Sequence, residues 1–213
     1  DGTVTGVQTC ALPIYAVSIV APSSGDVWVT DVAAVQAGEE LGEPVVQLGR
    51  GAVAALTPSV LFAASPGLGR VLEIDVATGE TLASSDAPMS PDEPSLQITA
   101  VGERWVLLDT TSNVLSSRGW ETRLQSETAV LQLPGPASAR VLVATDTGIE
   151  ARELGVETVD VVASGLEGTP SRPLVQAGCI FGAWSTGAVW RDCGAEQAVL
   201  ELDGVETGAR LAL

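Results

Sequence analysis

Histidine and lysine are both absent from the sequence, so all ten positively charged side chains are Arg. Without His, this chain can assemble no Ser–His or Cys–His nucleophile pair. Without Lys, it can form neither a Schiff base with a carbonyl substrate nor a P-loop phosphate site. The commonest side-chain machinery of covalent catalysis is therefore excluded from these 213 residues.

Positive charge is also scarce, because the ten Arg stand against 27 Asp and Glu and leave a net charge of −17. Such a chain repels phosphate backbones and anionic lipid headgroups, so we expect no nucleic acid partner. The apolar stretch Cys10–Ala21 is too short to cross a membrane as a helix. We therefore expect no membrane span within this chain.

Sequence patterns for metals and dinucleotides are missing as well. No D-x-D-x-D-G loop for calcium is present, and Cys179 and Cys193 supply only two thiolates, with no His, for the four positions of zinc. The segment Gly67–Gly69 lacks the third glycine and the following helix of a dinucleotide loop. We expect no cofactor, no bound metal and no catalytic residue.

The start of the chain has an unusual sequence. Val4–Ile14 reads V-T-G-V-Q-T-C-A-L-P-I, which is similar, residue for residue, to the translation of a widely used sequencing adapter. We therefore expect residues 1–14 to be an artefact outside the fold. The alternative, a signal peptide over Cys10–Ala21, lacks a basic segment before it. We expect one domain over residues 15–213, cut at its end, where Arg210–Leu213 reads as a strand that stops midway.

With Cys10 assigned to the adapter, two cysteines remain. Cys179 and Cys193 flank two strand-like runs joined by Ser185–Gly187. A hairpin that folds at this turn brings its two ends together, which favours a disulfide and an oxidising compartment. The alternative is a pair of small buried thiols in a cytosolic protein.

Period-2 alternation dominates the rest of the chain, which indicates an all-β fold. An apolar strand that ends in Asp, followed by a turn, recurs with separations of 44, 34, 37 and 46 residues. The five acids are Asp31, Asp75, Asp109, Asp146 and Asp192. Repeats near 40 residues with about four short strands each are typical of β-propeller blades. The sequence predicts a partial β-propeller of about four to five blades with four-stranded antiparallel sheets; tandem β-sandwiches are the alternative.

The five repeated Asp are expected to be structural, because a carboxylate at a strand end accepts backbone N–H groups of the following turn. Gly79 and Gly148 are expected to supply the positive φ that such turns often need. A catalytic role for these acids in a central channel is the less favoured alternative. Trp120, in the segment Arg118–Trp120, is a possible ligand contact, because we expect it to be exposed.

Arg70–Leu82, R-V-L-E-I-D-V-A-T-G-E-T-L, resembles the blade motif of PQQ-like, BamB-like propeller repeats. Leu82–Ser84 departs from that motif, which often has a Trp soon after the Thr-Gly turn. The segments Val141–Gly148 and Gly178–Cys193 resemble the propeller region of large bacterial surface proteins that continue into immunoglobulin-like or fibronectin type III repeats. The resemblance implies an exported, non-catalytic propeller and does not imply quinone binding.

Three functions stay open at this level. The favoured one is a structural or interaction scaffold of a larger extracellular or cell-surface protein, with an unidentified protein or cell-envelope partner. The second is a propeller enzyme of the glycosidase or lyase type that uses carboxylates in the channel. The third is a periplasmic assembly scaffold.

Overall fold

A computed structural model of the chain describes residues 17–21, 25–30, 38, 42–90, 95–194 and 196–201. Every regular element in these ranges is a β-strand, and the ranges contain no helix. In the same ranges there is accordingly no helix long and apolar enough to cross a membrane. The predicted artefact at residues 1–14 lies outside the described residues.

Within these ranges nineteen strands form five antiparallel sheets, and each sheet consists of strands that are consecutive in the chain. Sheet 1 contains β1 (Val17–Ala21), β2 (Asp26–Thr30) and β3 (Val46–Gln47). Sheet 2 contains β4 (Val53–Leu56), β5 (Val60–Ser65), β6 (Arg70–Asp75) and β7 (Thr81–Asp86). Sheet 3 contains β8 (Leu96–Val101), β9 (Arg104–Asp109), β10 (Val114–Ser117) and β11 (Trp120–Arg123).

The last two sheets repeat the same meander. Sheet 4 contains β12 (Val130–Leu131), β13 (Arg140–Thr145), β14 (Gly148–Glu153) and β15 (Val159–Ser164). Sheet 5 contains β16 (Leu174–Gln176), β17 (Cys179–Ala183), β18 (Ala188–Asp192) and β19 (Gln197–Glu201). The predicted all-β class and the predicted four-stranded antiparallel sheets are confirmed, with three strands in sheet 1 over the described residues.

Burial and contacts between sheets show which strands lie near the centre of the molecule and which lie at its rim. In sheet 2 the second strand β5 is buried along almost its whole length, whereas the fourth strand β7 is largely exposed. The first strands instead contact each other from sheet to sheet, since β4 touches β8 and β8 touches β12. The first strands therefore lie nearest a common axis and the fourth strands form the outer rim, the radial arrangement of propeller blades.

Side chains between neighbouring sheets form the core. Four apolar clusters are present, one each between sheets 1 and 2, 2 and 3, 3 and 4, and 4 and 5. Alternation along a strand supplies two clusters at once: in β5, Leu61 faces sheet 1 and Phe62 faces sheet 3. Because each inner sheet buries both faces, its second strand reads as a largely apolar run in the sequence.

Polar side chains also join the sheets close to the axis. The guanidinium of Arg172, on the connection into sheet 5, donates to the carbonyl of Ile98 at 3.0 Å. It donates further to the carbonyls of Leu131 and Gln132, at 3.0 and 2.8 Å. Burial lowers the pKa of Arg172 from its ordinary value. One cation thus ties sheets 3, 4 and 5 together through backbone oxygens.

Candidate binding depression on one face of the sheets

The turns of the molecule lie on two opposite faces. Successive strands run in opposite directions, so the turns after first and third strands share one face, and those after second and fourth strands share the other. We call the first of these the proximal face. Since first strands lie nearest the axis, the turns between first and second strands surround the axis on the proximal face.

A depression with a volume of about 520 Å³ lies on the proximal face. Its wall comes from three segments, one from each of sheets 2, 3 and 4: Leu56–Ser59, Gly102–Glu103 and Pro134–Pro136. We call this site the axial depression. The exposed side chains of Leu56, Pro58, Pro134 and Pro136 make much of its lining apolar.

Backbone hydrogen bonds fix the wall of the axial depression. Gly102 N–H donates to the Gly135 carbonyl at 3.0 Å, and Gly135 N–H donates to the Ala100 carbonyl at 2.9 Å. Val101 and Gly135 also form a parallel bridge. In the sheet 2 segment, the hydroxyl of Thr57 donates to the Val60 carbonyl and accepts from the Val60 N–H, both at 2.9 Å. The wall is therefore formed before any ligand arrives, which reduces the ordering cost of binding.

The chemistry of the axial depression suits binding. Its polar side chains are the hydroxyls of Thr57 and Ser59 and the exposed carboxylate of Glu103. Three proline rings hold their own backbone dihedrals fixed. The lining therefore combines apolar side chains with one carboxylate, a composition that can bind an apolar group beside a cation.

Channel carboxylates would be needed for the alternative enzyme. The first strands β4, β8, β12 and β16 contain neither Asp nor Glu, so none of them projects an acid toward the axis. The described residues also contain no cluster of three or more acidic or cysteine side chains that could hold a metal ion.

Asp75 ends β6, and its carboxylate is occupied by the turn that follows. Its Oδ1 accepts from Thr78 N–H at 2.7 Å, from the Thr78 hydroxyl at 3.0 Å and from Ala77 N–H at 2.9 Å. The hydrogen bonds from Thr78 and then Ala77 hold the pKa of Asp75 below its usual range. Gly79 follows with φ +75°, buried against Val45, where a side chain would be both strained and crowded.

Among the four repeated acids that the structure describes, Asp109 is the most buried, with no exposed surface. Its Oδ2 accepts from both the N–H and the hydroxyl of Ser90 at 2.6 Å and from the Ser112 hydroxyl at 3.1 Å. Its Oδ1 accepts from Thr111 N–H at 2.9 Å. Burial acts to raise the pKa of Asp109, but these hydrogen bonds outweigh it and the pKa lies below the ordinary value. The carboxylate anchors the connection between sheets 2 and 3.

The other repeated acids differ in their contacts. Asp192 accepts from Gly194 N–H at 2.7 Å and from the Gln197 amide at 3.0 Å. Asp146 is exposed, and its carboxylate has only a long contact of 3.5 Å with the Ser126 hydroxyl. Gly148 lies so close to sheet neighbour Ala163 that a Cβ would stand 2.0 Å from the Ala163 carbonyl oxygen. Asp31 lies outside the described residues.

Trp120 begins β11 and is half-buried. Its ring packs against the cluster between sheets 3 and 4, and its indole N–H is buried with no hydrogen-bond partner among the described residues. Trp120 is not among the residues that line the axial depression. A role as a ligand contact stays a prediction.

The disulfide predicted between Cys179 and Cys193 is confirmed: the two Cα atoms are 4.2 Å apart and the sulfurs are bonded. Ile180 pairs with Asp192 in the ladder, so the bridge stands one residue beyond the last pair of the β17–β18 hairpin. It closes the proximal end of this hairpin.

The axial depression itself was missed from the sequence. Its residues come from three turns far apart in the chain, and each turn reads alone as an ordinary connection. The signal that was available is Pro134–Pro136, where two prolines flank a glycine shortly after a first strand.

No family model and no curated protein matches the chain. Solved structures do. BBS1N, solved in complex with ARL6DN, superposes with a TM-score of 0.58 at 12% identity, covering 90% of this chain and 66% of that one. BamB from Moraxella catarrhalis gives 0.53 at 16% identity, covering 91% and 56%. A catalytically inactive virginiamycin B lyase from Staphylococcus aureus, bound to quinupristin, gives 0.52 at 13% identity, covering 88% and 69%.

These likenesses show the fold, which is a β-propeller arrangement of blades. The chain spans between 56% and 69% of the length of these three structures. They include a lyase and a BamB, so they do not distinguish an enzyme from a scaffold.

Proposed function

We propose that this chain is a non-catalytic interaction module of an exported, larger protein, and that a partner binds at the axial depression. The observation that carries the proposal is the composition of the depression: a preformed, largely apolar wall with one exposed carboxylate and no acid–base pair. The disulfide between Cys179 and Cys193 supports an oxidising compartment outside the cytosol.

The partner chemistry follows from charge and shape. The chain carries a net charge of −17, and Glu103 stands at the rim of the depression. The partner segment would carry an apolar side chain beside an Arg or Lys. The apolar side chain would fill the axial depression, and the cation would pair with the carboxylate of Glu103. Electrostatic attraction would also steer such a segment toward the acidic chain.

An assembly scaffold of the periplasm is a narrower version of the same proposal, supported by the likeness to BamB in fold alone. A channel enzyme is the contrasting function. It would need a pair of carboxylates at the axis, whereas the described first strands contain none and the lining of the axial depression contains one, that of Glu103.

A phage-displayed random peptide library, panned against the purified chain, tests the proposal. We expect enrichment of peptides that combine an apolar residue with Arg or Lys. Leu56→Asp should weaken their binding at least about tenfold, because it places a charge in the apolar wall. Leu82→Asp is the matched control, since Leu82 is a comparably exposed leucine on outer strand β7.

Two results would contradict the proposal: enriched peptides that bind Leu56→Asp as tightly as the parent chain, or panning that enriches no sequence.

A further inference from the structure

Each inner sheet presents the same four positions to the next sheet. In sheet 2 these are two residues of the second strand, Phe62 and Ala64, and two of the third, Val71 and Glu73. The ladder pairs Phe62 with Glu73 and Ala64 with Val71. Phe62, Ala64 and Val71 have no exposed surface, because sheet 3 covers them.

Sheet 5 carries these four positions too. Phe181 pairs with Arg191 and Ala183 pairs with Val189, the same arrangement of Phe, Ala and Val. Their neighbours along the strands, Ile180 and Trp190, face sheet 4, so alternation directs the four to the opposite side. We call Phe181, Ala183, Val189 and Arg191 the forward face of sheet 5.

The forward face lacks a cover among the described residues. Phe181, Ala183 and Val189 are half-buried and belong to none of the four apolar clusters. Sheet 4, by contrast, buries its matching positions under sheet 5. Those positions are Leu142, Ala144, Ile149 and Ala151. The forward face thus has the composition of a blade interface and the exposure of a free surface.

The charge at the fourth position indicates which charge a sheet packed on the forward face would carry. Glu73, at the fourth position in sheet 2, is ion-paired with Arg118 of sheet 3, and 13% of its side chain is exposed. Arg191 holds the same position in sheet 5 with the opposite charge and is 44% exposed. Its ion-pair partner at 3.6 Å is the largely exposed Glu196 of its own sheet.

We propose that the forward face of sheet 5 docks a sixth propeller sheet of the same ring, and that this sheet supplies a carboxylate to Arg191. The docked sheet packs as sheet 3 packs on sheet 2, with the charges of the Glu73–Arg118 pair reversed. BBS1N and BamB, which are similar in fold, are longer than this chain, which covers 66% and 56% of them. Both are long enough to contain a further sheet.

The first test compares two valines at matched positions, by thermal unfolding. Val71→Ala should lower the Tm by about 5 °C, since it removes buried methyl groups. Val189→Ala should shift the Tm by no more than about 1 °C in this chain, because no sheet covers it. Equal losses would overturn the proposal, since they would mean that another part of this chain already covers the forward face.

The second test adds a sheet to the full chain. A second copy of residues 87–123, which contain sheet 3 and its connection, is appended after Leu213, in an Arg191→Glu background that can pair with the new copy of Arg118. We expect Val189→Ala to lower the Tm of this extended chain by about 5 °C.

An unchanged Tm on Val189→Ala in the extended chain would overturn the proposal. It would also be overturned by a concentration-dependent dimer of the original chain, measured by sedimentation, that Val189→Asp abolishes. In that case a second copy, and not a sixth sheet, would occupy the face.

Discussion

Single polar residues hold together parts of this molecule that are distant in the sequence. Asp109 takes four hydrogen bonds on one carboxylate, and Arg172 gives three to backbone carbonyls. Asp109 is buried and Arg172 is half-buried, so each charged group depends on its hydrogen-bond partners for stability. Both side chains are fully engaged in holding the sheets together.

Asp109→Asn tests the first anchor. The substitution should lower the free energy of unfolding by about 2 kcal/mol at neutral pH, because charge-assisted hydrogen bonds are lost. The folded-state pKa lies below the unfolded one, so the stabilisation is complete above about pH 5 and is lost as the pH falls through the folded pKa. Denaturant unfolding between pH 2 and 7 should show the two proteins converging in acid.

Asp146→Asn is the control, since its carboxylate has one long contact. A difference between parent and Asp109→Asn that stayed constant down to about pH 2 would contradict this explanation.

Arg172→Met tests the second anchor. The substitution keeps an apolar stem and leaves three carbonyls without their donor. We expect a loss of about 3 kcal/mol in urea unfolding, from roughly 1 kcal/mol for each unpaired acceptor. Arg50→Met, at an exposed turn, should change stability by less than about 0.5 kcal/mol. Equal effects would show that Arg172 is not a clamp between sheets.

At the scale of strands and turns, the repeated strand-to-Asp unit predicted the fold correctly although its copies are not equivalent. Asp75 and Asp192 end third strands, whereas Asp109 ends a second strand and Asp146 follows one. This mixture explains the uneven separations. Alternation of apolar residues predicts strands but does not say which place a strand takes in its sheet, because second and third strands of a blade are both buried.

Each of the five sheets contributes one second strand to the repeat. These strands begin at Asp26, Val60, Arg104, Arg140 and Cys179, 34 to 44 residues apart. Strand β11, which starts at Trp120, was not predicted, because its short alternating segment W-E-T-R is mostly polar on the outer rim.

The β17–β18 hairpin offers a prediction at this scale. The double substitution Cys179→Ala, Cys193→Ala should destabilise the protein by about 3 kcal/mol, as expected for a loop with a sequence separation of 14. Urea unfolding of parent and variant under non-reducing conditions measures the difference. With reductant present the two proteins should unfold at similar urea concentrations, and a difference that persisted would show an effect of packing and not of the bond.

The whole molecule is a radial set of five sheets in which four interfaces are filled over the described residues. The sequence predicted this architecture because strand alternation and a repeat length are local properties. It could not predict the axial depression, because Leu56, Gly102 and Pro134 meet only after three sheets have packed around one axis. Packing, and not any one motif, brings these residues together.

The central claim is that a partner binds at the axial depression of a non-catalytic propeller. The most direct measurement is a titration of the 15N-labelled chain with a peptide selected from the phage library, followed by amide chemical shifts. We expect the largest changes at Gly102, Glu103 and Gly135, whose backbones form the wall. Changes confined to the outer strands β7 and β15, or to turns on the opposite face, would contradict the claim.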